Sequence, residues 1–216
     1  MWFIDRVDTG KQLAARLGKY HGRAVVYALP RGGVMVGAEI AKELEAPLDL
    51  ILVRKIGHPA NPEYAIGAVA EGGEPVYNEA ERQAVDEAWL AAAVRQERAE
   101  NERRRQDYFP EDYKTPDVRD KVAILTDDGI ATGLTMEAAV AALSTHHPKE
   151  IVVAVPVAPG DSVAHLKTVA DEVIVLDSPD NLRGAVGAHY QNFPQVEDDE
   201  VIEILEEVRD ELGGMA

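Results

Sequence analysis

The 216-residue chain contains no cysteine. That excludes disulfide staples, thiol nucleophiles and thiolate-bound metals, and leaves the redox compartment open. No apolar run approaches the roughly 18 residues of a membrane-spanning helix. The opening "MWFIDRVDTGKQ" lacks the basic region, apolar stretch and small-residue cleavage site of a secretory leader, so a cytoplasmic protein without a membrane partner is expected. Positive charge is also scarce: 22 Lys and Arg face 39 Asp and Glu, for a formal net charge of −17. Such a field repels polyanions, so sequence-independent nucleic-acid binding is not expected. A small phosphorylated ligand stays possible, because local cations, backbone amides and a divalent ion outweigh distant charge at short range. No G-x-G-x-x-G follows a strand and no G-x-x-x-x-G-K-[ST] occurs, which removes the sequence support for dinucleotide and P-loop sites.

What is present reads as one α/β domain, with 46% hydrophobic and 28% charged residues. Continuous apolar runs, "RAVVYAL", "LDLILVRK", "VAILT", "EIVVAVPV" and "EVIVLD", alternate with helical patterns at 34–44, 135–144 and 161–170. This predicts a parallel sheet with helices on both faces. Asp8 or Thr9 is expected to cap a first helix whose Leu13, Ala14 and Leu17 share a face, with Gly18 at its end. Glycines and prolines at 56–77 predict a loop with a hairpin. A long helix is expected from Glu79 to about Asp107, with Val85, Ala88, Trp89 and Ala92 on its apolar face, leaving the core near Arg95. The predicted organisation is a single domain, 1–216, with a helical insertion at 79–113. Residues 178–216 form a small hood and a C-terminal helix, amphipathic through Val201, Ile204, Leu205 and Val208.

The strand "VAILT" runs into Asp127 and Asp128, and then Gly129, Ile130, Ala131, Thr132, Gly133, Leu134 and Thr135 lead into the next helix. In parallel sheets, ligands bind beyond the carboxyl ends of the strands. There a glycine-bearing turn can fold into a cup of backbone N–H groups, and the positive end of the following helix favours a phosphate monoester. Thr132 and Thr135 add hydroxyl donors. Ionised carboxylates would repel a phosphate inside the cup, so Asp127 and Asp128 are expected beside it, accepting bonds from vicinal hydroxyls such as those of ribose. Cup and carboxylates together read a ribose 5-phosphate.

The segment "AILTDDGIATGLT" resembles the diphosphoribosyl-binding signature of the type I phosphoribosyltransferases: a hydrophobic strand, two acids, and a small-residue loop with Thr and Gly. Gly129 departs from it, standing where many members carry an aliphatic residue or Ser; the loop gains freedom without losing a ligand group. "ALPRGGVMVG" is similar to the family's pyrophosphate loop and "VRK" to the end of its second strand, so the resemblance spans roughly residues 23–177. "GAVGAHYQNFPQV" is similar to the tail of a subgroup of predicted phosphoribosyltransferases with no settled substrate.

The resemblance implies Mg²⁺-dependent transfer of a 5-phosphoribosyl group from phosphoribosyl pyrophosphate (PRPP) to a nitrogenous base, releasing pyrophosphate, as in nucleotide metabolism. Asp127, Asp128 and Arg31 are the catalytic residues it implies. Arg31, with the amides of Gly32 and Gly33, is expected to hold pyrophosphate oxygens, in a loop that in this family usually carries a non-proline cis peptide. Arg54 and Lys55 offer a second cationic contact. Asp127 and Asp128 orient the ribose and bind Mg²⁺ through water. "KIGHPANPEYAIG" occupies the place of the family's mobile closing loop.

The acceptor base is expected under chain outside the core, where Tyr190 and Phe193 offer stacking faces; core packing explains both rings equally well. His189 reads as a surface or satisfied histidine. His146 and His147 read as partners of a helix C-terminus or as solvent-facing groups, lacking a third metal ligand. Arg103, Arg104 and Arg105, interspersed with acids, read as a solvated face, with Glu100 four residues before Arg104. The insertion could act as a lid or as the contact of a homo-oligomer. The competing class is a non-catalytic PRPP- or nucleotide-binding regulatory protein. A complete leaving-group site favours the enzyme, and the missing basic face argues against a nucleic-acid regulator.

Overall fold

The computed structural model describes residues 2–182 and 184–213. Helix α1 (Arg6–Leu17) starts at Asp5, whose side chain accepts the Asp8 amide at 2.8 Å, and ends at Gly18. The cap is therefore Asp5 rather than Asp8 or Thr9, because a cap carboxylate reaches the amide three residues on. The chain continues through β1 (Ala24–Ala28), α2 (Gly33–Leu44), β2 (Leu48–Leu50), β3 (Val53–His58), β4 (Asn61–Ala70), β5 (Val76–Tyr77), α3 (Glu79–Arg82) and α4 (Glu87–Tyr108). It closes with β6 (Val122–Thr126), α5 (Leu134–Ser144), β7 (Glu150–Val157), α6 (Gly160–Leu166), β8 (Glu172–Asp177) and α7 (Asp198–Gly213).

Five strands form the predicted parallel sheet in the order β2-β1-β6-β7-β8, buried between two apolar layers. Alternate residues of β1 show why a continuous apolar run was needed: Ala24, Val26 and Ala28 enter one layer, Val25 and Tyr27 the other. The run "LDLILVRK" is two strands, not one. Leu48–Leu50 stays in the sheet, whereas Val53–His58 pairs antiparallel with β4 in a separate sheet, β3-β4-β5. Both pieces are extended and apolar, so the change of partner leaves no mark in the pattern.

The helix expected from Glu79 breaks at 83–86, where the Asp86 side chain accepts the Trp89 amide at 2.9 Å and starts α4. Nor does α4 leave the core near Arg95. Leu90 and Val94 are buried against Ile56, Ile66 and Val69 of the β3-β4 hairpin, while Ala88 and Ala92 are exposed. Further along, Asn101 Nδ2 donates to Val69 O at 3.1 Å, and the Tyr108 hydroxyl donates to Asp198 of α7. The helix is a beam tied to the hairpin at several levels and to α7 at its end. Helix α7 buries Val201, Leu205 and Val208 in the layer that holds Leu44 and Leu48, with Ile204 only partly buried. It covers a face of the sheet rather than its end; over the strand ends stand α4 and the hairpin, joined by Val186 of the segment before α7.

Candidate active site

The strand order places β2 on one side of β1 and β6 on the other, so the sheet's switch point lies between β1 and β6. Loops leaving adjacent parallel strands in opposite directions open a crevice there. The two motifs singled out in the sequence are those loops. Ala28 pairs with Thr126, the Leu29 amide donates to Thr126 O at 3.0 Å, and the 30–33 turn lies directly against the two acids. A Cβ on Gly33 would sit 2.9 Å from Asp127 Cα, and one on Gly32 would land on Oδ2 of Asp128. Glycine is required at both by close approach alone. The Pro30–Arg31 peptide is cis.

The acids are not equivalent. Asp128 Oδ2 accepts Arg6 Nε at 2.8 Å, with side chains only 15% and 5% exposed, and its backbone carbonyl accepts the Tyr190 hydroxyl at 2.7 Å. Arg6 also donates from Nη1 to Pro194 O at 2.8 Å and lies 3.7 Å above the Phe193 ring. Asp127 makes no ion pair among the described residues; its Oδ1 accepts the Asp128 amide at 2.8 Å, and it lines a cleft of about 770 Å³. Burial, then the neighbouring Asp128 charge, pushes the Asp127 carboxyl well above the usual range. Asp128 is raised by burial too, opposed by its bond to Arg6 and the Arg6 charge.

Beyond the acids the chain bends through Ala131, Thr132 and Gly133, and Gly133, at φ 86°, starts α5. A side chain is strained at that φ, and glycine is not. The first turn of α5 leaves amides without intrahelical acceptors at the cleft, beside Thr132 and Thr135. Of the predicted cup, Ile130 lines the cleft but offers it no free amide: its N–H donates to Val157 O at 2.8 Å and its side chain is buried. Gly129 lines the cleft, and Leu134 opens the helix.

Lys55 lines the same cleft, exposed, close enough for its charge to lower the Asp127 carboxyl. Arg54 lines it too but pairs with Glu97 at 2.8 Å. Arg31 is turned away, its Nη1 3.2 Å from Glu197 of the C-terminal segment. Tyr190 and Phe193 do not offer stacking faces. Tyr190 is 5% exposed, with ring centroids of Phe3 at 5.5 Å and Phe193 at 4.9 Å, and the other cover on Phe193 is Arg6. Aromatic rings near a core gain more from mutual burial than from waiting for a ligand, and the tyrosine tip finds a carbonyl. His189 is buried, with Nδ1 4.0 Å from Asp177, while His146 and His147 are exposed.

Two contributors were not found from sequence. Arg6 reaches Asp128 across 122 positions, and no local pattern announces such a contact. The helical period places Trp89 on the packing face, yet it also lines the cleft with Ala93 and Gln96 of the same helix.

Two helix N-termini thus flank, at a sheet switch point, a carboxylate that makes no ion pair among the described residues. The phosphoribosyl transferase domain model matches residues 6–192, and the chain belongs to that family. A Mycobacterium tuberculosis protein named as a candidate phosphoribosyl transferase, Rv0571c, is 44% identical over 213 residues, covering 94% of this chain and 46% of the relative. The chain thus spans about half the length of the curated relatives it matches. The crystal structure of TT1426 from Thermus thermophilus matches with a TM-score of 0.81 at 40% identity, covering 96% of this chain and 99% of that one. The expected fold and the type I family resemblance are thereby shown. No helix among the described residues is long and apolar enough to cross a membrane.

Proposed function

We propose that the chain transfers the 5-phosphoribosyl group of PRPP to a nitrogenous base with release of pyrophosphate. The observation that carries this reading is the placement of the α2 and α5 N-termini on either side of Asp127 at the switch point. The α5 turn, with Thr132 and Thr135, suits the 5-phosphate, and Lys55, beside the Gly32–Gly33 turn that packs on the two acids, suits the pyrophosphate. Asp127, ionised, accepts from the ribose hydroxyls between them.

In the reaction the bond from the anomeric carbon to the pyrophosphate oxygen breaks and its electron pair leaves with pyrophosphate. A ring nitrogen of the base donates the pair for the new bond and passes its proton to solvent. The chain supplies position, cations at the leaving group and exclusion of water. Among the described residues, no group of three or more His, Asp or Glu could enclose a metal. The donor set suits Mg²⁺ held mainly by ligand oxygens and water, with Asp127 as the protein's contact, because Asp128 is committed to Arg6. Bound there, the ion would neutralise charge on the departing pyrophosphate.

The Arg6–Asp128 pair and the turn of Arg31 toward Glu197 favour a second reading, a PRPP-binding regulator without turnover. Incubation with PRPP, Mg²⁺ and a panel of bases separates the two. Base-dependent pyrophosphate release supports the transferase, and PRPP binding without release under every base supports the regulator. Asp127→Asn is expected to weaken PRPP binding at least tenfold, about 1.4 kcal/mol, while leaving the fold intact; unchanged affinity removes the diol assignment.

A further inference from the structure

Neither the buried Tyr190 nor the partly buried Phe193 lines the cleft, which ends instead on the Trp89 indole. Trp89, Ala93 and Gln96 all line it, and their spacing of four and then three residues places them on one stripe of α4. The neighbouring stripe, Leu90 and Val94, is buried against the hairpin, so α4 is anchored by one face and presents the other. Trp89 packs on that same cluster while remaining partly exposed, and the Asp86 cap on its amide fixes the turn that carries it. Two turns on, Gln96 is exposed and its side chain makes no hydrogen bond among the described residues; its amide offers a donor beside an acceptor. Ala93 between them is short enough to leave floor space. Asp127 and Thr132 line the same cleft, so a ring resting here faces the sugar site.

The charges on this wall are already matched. Glu97 pairs with Arg54 at 2.8 Å, and Arg104 pairs with Glu100 at 3.2 Å. A ligand lying between Trp89 and Gln96 therefore meets an aromatic face and a neutral amide rather than a free charge supplied by α4.

Resting on the transferase reading, we propose that α4 holds the acceptor: a neutral, flat heterocycle stacks on the Trp89 indole over Ala93, and the Gln96 amide reads a neighbouring donor and acceptor on its edge. Stacking of this kind tolerates different rings, and the edge contact selects among them.

The chain has two tryptophans, so Trp2→Phe leaves Trp89 as the sole indole. That variant, with PRPP and Mg²⁺, is titrated with adenine, hypoxanthine, uracil and, as an anionic ring, nicotinate, reading indole emission and pyrophosphate release together. Saturable quenching by at least one neutral base and none by nicotinate is expected. Quenching by nicotinate alone overturns the ligand class, and unmoved emission under all four overturns the site. In the otherwise native chain, Trp89→Leu is expected to raise the base KM, or its Kd where no turnover occurs, at least about fivefold. PRPP affinity should hold, and Trp89→Phe should recover most of the loss. Equal base affinity in Trp89→Leu and native protein overturns the assignment, and Gln96→Leu should narrow discrimination among the neutral bases. Quenching without pyrophosphate release keeps the acceptor site and removes the transferase reading. Release without quenching does the reverse.

Discussion

At the scale of single residues, the division of labour between Asp127 and Asp128 decides how the site behaves. Arg6 reaches Asp128 through a contact almost free of solvent, so removing the guanidinium leaves a carboxylate with little water and no partner. Loss of one member of a buried pair costs about 3–5 kcal/mol. Arg6→Gln is accordingly expected to lower unfolding stability by about 3 kcal/mol at pH 7 in a urea titration. The double variant Arg6→Gln, Asp128→Asn should be less destabilised than the sum of the single changes. Without Arg6 the folded Asp128 carboxyl rises further above its unfolded value, so the deficit grows with pH through that window and shrinks as the acid protonates. Asp127 carries a second prediction. Its carboxyl is raised by burial and by Asp128, yet accepting bonds from sugar hydroxyls requires the ionised form. PRPP binding then releases a proton at pH values between the bound and free positions of that group, and affinity rises with pH through the free position. Calorimetry in buffers of different ionisation enthalpy reads the release, which should be smaller in Asp127→Asn; equal release in both proteins contradicts the assignment.

At the scale of elements, α4 shows what a sequence hides. The run Arg103, Arg104, Arg105 reads as a solvated face, but successive residues of a helix point about 100° apart and cannot share one environment. Arg103 is solvated, pairing with Glu100 and Asp107; Arg104 lines the cleft; Arg105 is largely buried. Arg105 donates to Asp49 at 3.1 Å, to Glu71 at 2.8 Å and to the Leu50 carbonyl at 3.2 Å, holding α4 to the edge strand. Those acids lie 56 and 34 positions away, beyond any helical period. Burial pushes both carboxyls upward, and the Arg105 charge opposes it. Arg105→Met should therefore destabilise the chain by about 3–5 kcal/mol at neutral pH, measured by chemical denaturation. The loss should diminish on acidification, as the two acids take up protons and no longer need a counter-charge. A loss of under about 1 kcal/mol would place the pair among ordinary surface bridges.

At the scale of the whole molecule, the parallel sheet and the glycine-bearing loops at its strand ends are legible because both are written locally: continuous Val, Ile and Leu for the strands, glycine and adjacent acids where strands end. What stands over the sheet is not. The partner exchange in "LDLILVRK", the break before Asp86, the Arg6 clamp and the burial of Tyr190 each depend on contacts distant in sequence. The net charge is a global quantity as well, and it sets the approach of an anionic ligand even where the site itself attracts it. With a formal charge of −17, the long-range field opposes PRPP, whereas Lys55 and the helix termini act only at close range. The screening length falls from about 30 Å at 0.01 M salt to about 8 Å at 0.15 M, which removes the field beyond the cleft mouth and spares contacts inside it. Stopped-flow association of PRPP at fixed free Mg²⁺ should therefore accelerate, by a factor of about 2 or more, across that range. A site whose approach is governed by a basic funnel slows instead. Slowing here would mean that Lys55 and Arg104 dominate the potential at the entrance despite the acidic surface around them.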